Sequence, residues 1–100
     1  MSKFVWSKDK DELLKKTRNI SFENVVSAIA EENLLSIEAN RSKNHEGQKI
    51  LIVLINDYPY VIPFDELDNG DIILRTIYPS RKEKKRINNE NEKKKRNKAR

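Results

Sequence analysis

His45 and Glu46 stand side by side in a polar stretch just ahead of the longest apolar run of the chain. An imidazole that titrates near neutrality beside a carboxylate can serve as general acid or base, although a lone histidine in a polar loop is equally an ordinary surface residue. The other reactive groups are cations. Arg75 lies in an otherwise apolar run, and Arg81, Lys82, Lys84 and Lys85 follow it closely. A guanidinium is a planar fork that gives a phosphate two directed hydrogen bonds, which makes Arg81 the first candidate for a phosphate clamp; a salt bridge to an acidic loop is the plainer use of the same group. Arg75 either points from an open face toward a substrate or pairs with a carboxylate across strands.

The charge distribution agrees with a phosphate partner. Residues 1–80 hold 10 Lys+Arg against 13 Asp+Glu and residues 81–100 hold 11 against 3, so the net +5 is made of −3 in the body and +8 in the tail. Such a tail either contacts a polyanion or is a solvated, disordered segment. With no cysteine and one histidine, thiol nucleophiles, disulfide frameworks and Cys- or His-cluster metal sites are excluded. The acidic stretch Asp65 to Asp71 lacks EF-hand spacing and reads as a turn, so neither metal nor cofactor is expected. The opening MSKFVWSKDKDELL has no apolar run of signal-peptide length, and no stretch approaches the roughly 20 apolar residues of a membrane span, so a soluble cytoplasmic protein is expected.

Several local elements must position these groups. Lys3 to Trp6 is a short strand-like run, Ser7 caps a first helix with Leu13 and Leu14 turned inward, and Ser21 caps a second. In that second helix Phe22, Val25, Val26 and Ile29 recur at the spacing of one buried stripe. Leu34 to Glu38 is β-compatible, Ala39 to Gln48 is a loop, and Lys49 to Ile55 with Tyr58 to Phe64 forms a hairpin around Asn56-Asp57. Pro59 and Pro63 remove amide donors and leave the ends of their strand free of one ladder. A third run, Ile72 to Ile77, follows Asn69-Gly70, and a basic helix begins behind Ser80. The expected fold is α+β, short helices on a small antiparallel sheet with a C-terminal basic helix, as one domain over residues 1–87 and a frayed or disordered tail over 88–100.

Phe4-x-Trp6, Lys10 four residues on, Ser21-Phe22-Glu23, and the closing Ile77-Tyr78-Pro79-Ser80-Arg81-Lys82 together resemble the BrnT family of RelE-like bacterial toxins over about residues 3–87. Ser7, Leu14 and Arg18 stand where that family has Asp, Asn and His. The resemblance implies a RelE-like scaffold and a metal-independent endoribonuclease, the toxin half of a type II toxin–antitoxin pair. Its implied partner is a ribbon-helix-helix antitoxin of the BrnA kind, in a 2:2 assembly. Such cleavage turns a ribose 2′-hydroxyl on the adjacent phosphate, which needs a base, an acid and cations around the developing charge. Arg81, His45, Glu46, Arg75 and Lys82 are the catalytic candidates, and Lys16, Arg18, Lys49, Tyr58, Lys84 and Lys85 the RNA-binding ones. Trp6 is expected to seal the core, whereas Tyr58 beside the hairpin turn is an exposed ring able to stack on a base. Two other functions fit the same composition: a non-catalytic nucleic-acid-binding protein, and an interaction protein with an acidic body and a basic tail.

Overall fold

The computed structural model describes residues 3–40 and 47–88. In chain order these form β1 (Phe4–Trp6), α1 (Lys8–Arg18), α2 (Phe22–Ala30), β2 (Leu34–Ala39), β3 (Lys49–Ile55), β4 (Tyr58–Glu66), β5 (Ile72–Leu74) and β6 (Tyr78–Pro79), and residues 81–88 make a third helix, α3. His45, Glu46 and the tail from residue 89 lie outside the described residues.

Each helix starts where a hydroxyl can take its orphan amides. Ser7 Oγ accepts from Lys10 N–H at 3.3 Å, Ser21 and Asn24 bond reciprocally in a capping box, and Ser80 Oγ accepts from Glu83 N–H at 3.2 Å. Asn19 closes α1 in the left-handed region at φ 52°, which an Asn tolerates at low cost. Adjacent positions cannot share a helix face, so of the two leucines Leu14 is buried and Leu13, expected inward as well, is exposed. On α2 the buried stripe is Phe22, Val25 and Ala28, with Ile29 packed at its margin and Val26 half-buried.

The six-stranded sheet runs β1-β5-β4-β3-β2, with β6 also on β4. It is mixed rather than antiparallel, because β1 pairs with β5 in parallel. Connectivity requires this. Two helices return the chain to the end of the sheet it left, so β2 runs against β1; three antiparallel steps, β2 to β3 to β4 to β5, then leave β5 running with β1. The β3–β4 turn is formed by Asn56 and Asp57, both at positive φ (52° and 63°), a two-residue geometry whose twist matches the strands it joins.

Residues paired across antiparallel strands share a face, which separates two surfaces. Leu51, Val53, Ile62, Phe64 and Leu74 pack against Leu14, Ile20, Phe22 and Val25 on the helix-covered face, where Trp6 stacks on Phe22 with ring centres 5.7 Å apart. Ile50, Ile52 and Val61 belong to the opposite face, and α3 lies against it. The layers are therefore α1 and α2, the sheet, and α3.

The strand expected over Ile72 to Ile77 is broken. Phe64 is opposite Leu74 and Val61 opposite Tyr78, so residues 75–77 face residues 62–63 and the chain bulges by one residue. A one-residue shift exchanges the two faces of a strand. Ile77 consequently enters the helix-side core at 0% exposure and Tyr78 turns to the opposite face.

Asp11, the one buried charged side chain among the described residues, ties the two first helices together. Its Oδ1 accepts the Phe22 amide at 2.9 Å and its Oδ2 meets Lys15 Nζ at 3.3 Å. The hydrogen bond and charge of Asp11, with Glu12 behind them, hold the exposed Lys15 ammonium above the ordinary lysine value. Whatever stability that pair contributes is therefore complete below that value and fades as pH rises past it. Replacing Asp11 with Ala strands a buried amide at the start of α2 and should cost about 1–3 kcal/mol. In a domain of this size each kcal/mol lowers Tm by about 4–8 °C. Asp11→Asn keeps an acceptor and should lose less, and an unchanged melting curve for the Ala variant would rule out this tie.

Candidate functional site

Between α3 and the uncovered end of the second face runs a groove of about 500 Å³. Its floor is Ile50, Ile52 and Val61, apolar because these positions continue the buried alternation of β3 and β4. One bank is α3, which presents Lys82, Glu83 and Arg86; positions i and i+4 of a helix face the same way, so the two cations point together. The other bank is the end of β2 with Glu38, Ala39 and Asn40, and Tyr78 and Ser80 enter from β6.

Two carboxylates share this groove. Glu38 accepts a hydrogen bond from Ser36 Oγ through Oε2 at 2.8 Å, an orienting contact from the residue two places before it on the same strand. Glu83 is largely buried, with 16% of its side chain exposed, and Arg86 Nη1 lies 3.8 Å from it, a long ion pair within one helix. Formal charge in the groove thus balances, two carboxylates against Lys82 and Arg86. A carboxylate oriented by a hydroxyl, lining the same apolar-floored groove as two cations, is an arrangement that can move a proton while holding an anion.

Beyond the groove, at the end of the sheet, polar side chains join in a row. Asn40 Nδ2 donates to Gln48 Oε1 at 2.9 Å, Gln48 Nε2 donates to Asp65 Oδ2 at 3.2 Å, and Arg75 Nε donates to the same oxygen at 2.7 Å. Arg75 therefore pairs with a carboxylate across strands, one of the two roles open to it, while half of its side chain stays exposed.

The other sequence candidates scatter around this centre. Lys82 lines the groove, whereas Arg81 is exposed at the head of α3 and is not among its lining residues. Lys49 pairs with Glu66 at 3.0 Å, and Arg18 donates to the Ile77 carbonyl at 2.6 Å, bracing the bulge from the end of α1. Lys16 and Lys85 are exposed. Tyr58 makes an edge contact with Tyr60 and lies under Lys84, whose Nζ is 5.7 Å from the Tyr58 ring centre and 3.3 Å from the Asp57 carbonyl. Both groups hold α3 to the hairpin turn.

Glu38, Tyr78 and Arg86 were not singled out from the sequence. Glu38 had a signal, since Ser36 and Glu38 are two polar residues at strand period in an apolar run, and Arg86 follows Lys82 by four. Tyr78 had none, because the bulge that aims it is a property of the pairing. Among the described residues no group of three or more metal-ligating side chains gathers, and no helix is long and apolar enough to cross a membrane. Compared with family models, curated proteins and solved structures, the chain matches none.

The Lys84 contacts carry a direct expectation. Lys84→Ala should lower stability by about 0.5–1 kcal/mol, the worth of an exposed cation–π contact. Lys85→Ala, which removes an equal charge from an exposed position, should stay within about 0.5 kcal/mol of the unaltered chain. Equal denaturant midpoints for the two variants would show that Lys84 does not hold α3.

Proposed function

We propose that the chain is an endoribonuclease of the small bacterial toxin class, with the groove between α3 and β2 as its catalytic site. The observation that carries this reading is the oriented Glu38 carboxylate lining the same apolar-floored groove as Lys82 and Arg86. Glu38 takes the proton of a ribose 2′-hydroxyl as its oxygen attacks the adjacent phosphorus. Lys82 and Arg86 stabilise the charge that builds on the phosphoryl oxygens, and the P–O5′ bond breaks as the leaving oxygen receives a proton from Lys82 or Tyr78. The products are a 2′,3′-cyclic phosphate and a free 5′-hydroxyl. Base, acid and cations all come from the chain, so the reaction as written calls on no metal.

The BrnT-like pattern at both ends of the sequence supports the same class and supplies the partner, a ribbon-helix-helix antitoxin that masks the basic surface in a 2:2 complex. Arg81, exposed beside the groove, and the Lys/Arg-rich segment after it hold the RNA backbone. The scaffold in this reading is RelE-like, and its compartment is the cytoplasm, where the RNA is.

The purified chain should cleave RNA in the presence of EDTA, leaving cyclic phosphate ends. Glu38→Gln keeps size and hydrogen bonding but removes the base, and should slow single-turnover cleavage by about 10²–10⁴-fold with RNA affinity little changed. RNA that is bound yet left intact by the unaltered chain would make the protein a non-catalytic binding module instead. Arg86→Gln should lower the rate by about 10²-fold, the loss expected for one transition-state donor.

A further inference from the structure

We infer that the row Asn40, Gln48, Asp65 and Arg75 builds a second phosphate subsite, one that takes the linkage next to the scissile one. This rests on the reading of the groove as an RNA-cleaving site.

The row starts inside the groove, because Asn40 lines it, and ends outside, at Arg75. Backbone and side chain both join its first two members, with Asn40 N–H donating to the Gln48 carbonyl at 2.8 Å. Strands lie about 4.8 Å apart, so the step from the β3 floor to Arg75 beyond β5 is about 10 Å. A nucleotide next to one held in the groove is within reach of this row.

Asp65 engages Arg75 through Nε alone. That contact fixes the plane of the guanidinium, while no hydrogen bond from either Nη group is recorded among the described residues. An arginine braced at Nε by a carboxylate, itself receiving a second hydrogen bond from Gln48, is preorganised to offer a forked pair of donors to an anion. The bulge over residues 75–77 assists, because Arg75 N–H bonds the Pro63 carbonyl and so holds the start of the side chain at the rim of the second face. Arg75 is then a substrate-binding residue, and Asp65 and Gln48 are positioning residues acting through it.

The ligand is the phosphodiester of a single nucleic-acid strand, and the test can be run with an analogue that cannot be cleaved. A short 2′-O-methyl RNA is titrated against the full chain, intact or with one uncharged methylphosphonate placed in turn at the linkages 5′ and 3′ of the central one. For the unaltered protein, one of these two flanking replacements should weaken binding about tenfold, the worth of a charge-assisted contact. Arg75→Gln should bind the intact oligomer about tenfold more weakly and lose all further sensitivity to that replacement, whereas Arg75→Lys and Asp65→Ala should fall between, keeping charge without direction. Melting curves accompany each variant, and the oligomer series on the unaltered chain stands whether or not a variant folds. Equal affinity of Arg75→Gln and the unaltered chain, or no penalty at either flanking linkage, would overturn the subsite. An unaltered chain that binds the oligomer in this pattern but leaves ordinary RNA uncut would sink the ribonuclease reading and keep the subsite. One that binds no oligomer would remove both.

Discussion

Two missing hydrogens shape the second face of the sheet. In an antiparallel strand the N–H and C=O of one residue point to the same side. The carbonyls of Pro63 and Pro59 accept from Arg75 and Ser80, so the donorless nitrogens of both prolines face the edge where β5 and β6 lie. At each of these positions the return bond cannot form. The ladder weakens twice within five residues, and between the two weak points the edge strand admits an extra residue. That insertion sends Ile77 inward to fill the core and turns Tyr78 and Ser80 toward the other face, where alternation already places Arg75.

The second constraint is the turn at Asn56-Asp57. Its left-handed backbone closes the long β3–β4 hairpin and leaves the Asp57 carbonyl available to Lys84. With Ser80 bonded to Pro59 at one end and Lys84 to the turn at its middle, α3 is fastened along one flank. Its other flank lines the groove. The bank that carries Lys82 and Arg86 is thus held by contacts on the side away from the groove.

What the sequence disclosed follows from how local each cause is. Caps and the hairpin turn depend on residues within four positions of one another, so Ser7, Ser21, Ser80 and Asn56-Asp57 could be placed from spacing alone. The direction of β1 could not, since it is decided by counting reversals through the whole chain. The bulge was half legible: the prolines announced lost donors, but which side of β4 they faced depends on the register with β3. Candidate site residues divide in the same way. Lys82, which stands out in the sequence as part of a dense basic run, lines the groove. Glu38 was passed over because one carboxylate in a short strand looks like surface until α3 is seen to face it.

The charges along α3 point away from a purely structural purpose for the groove. Lys82 and Arg86 sit at i and i+4, a like-charge pairing that destabilises a helix by about 0.2–0.5 kcal/mol, where a Glu in the first place would have stabilised it by a similar amount. Glu83, three residues before Arg86, offsets part of this, but at 3.8 Å the pair is long and the Glu83 side chain is largely taken out of water to reach that place. A helix selected only to cover Ile52 and Val61 would keep its carboxylates in solvent and its cations apart. In the proposed reading, an anion entering between these groups would relieve the Lys82–Arg86 repulsion and compete with Glu83 for Arg86.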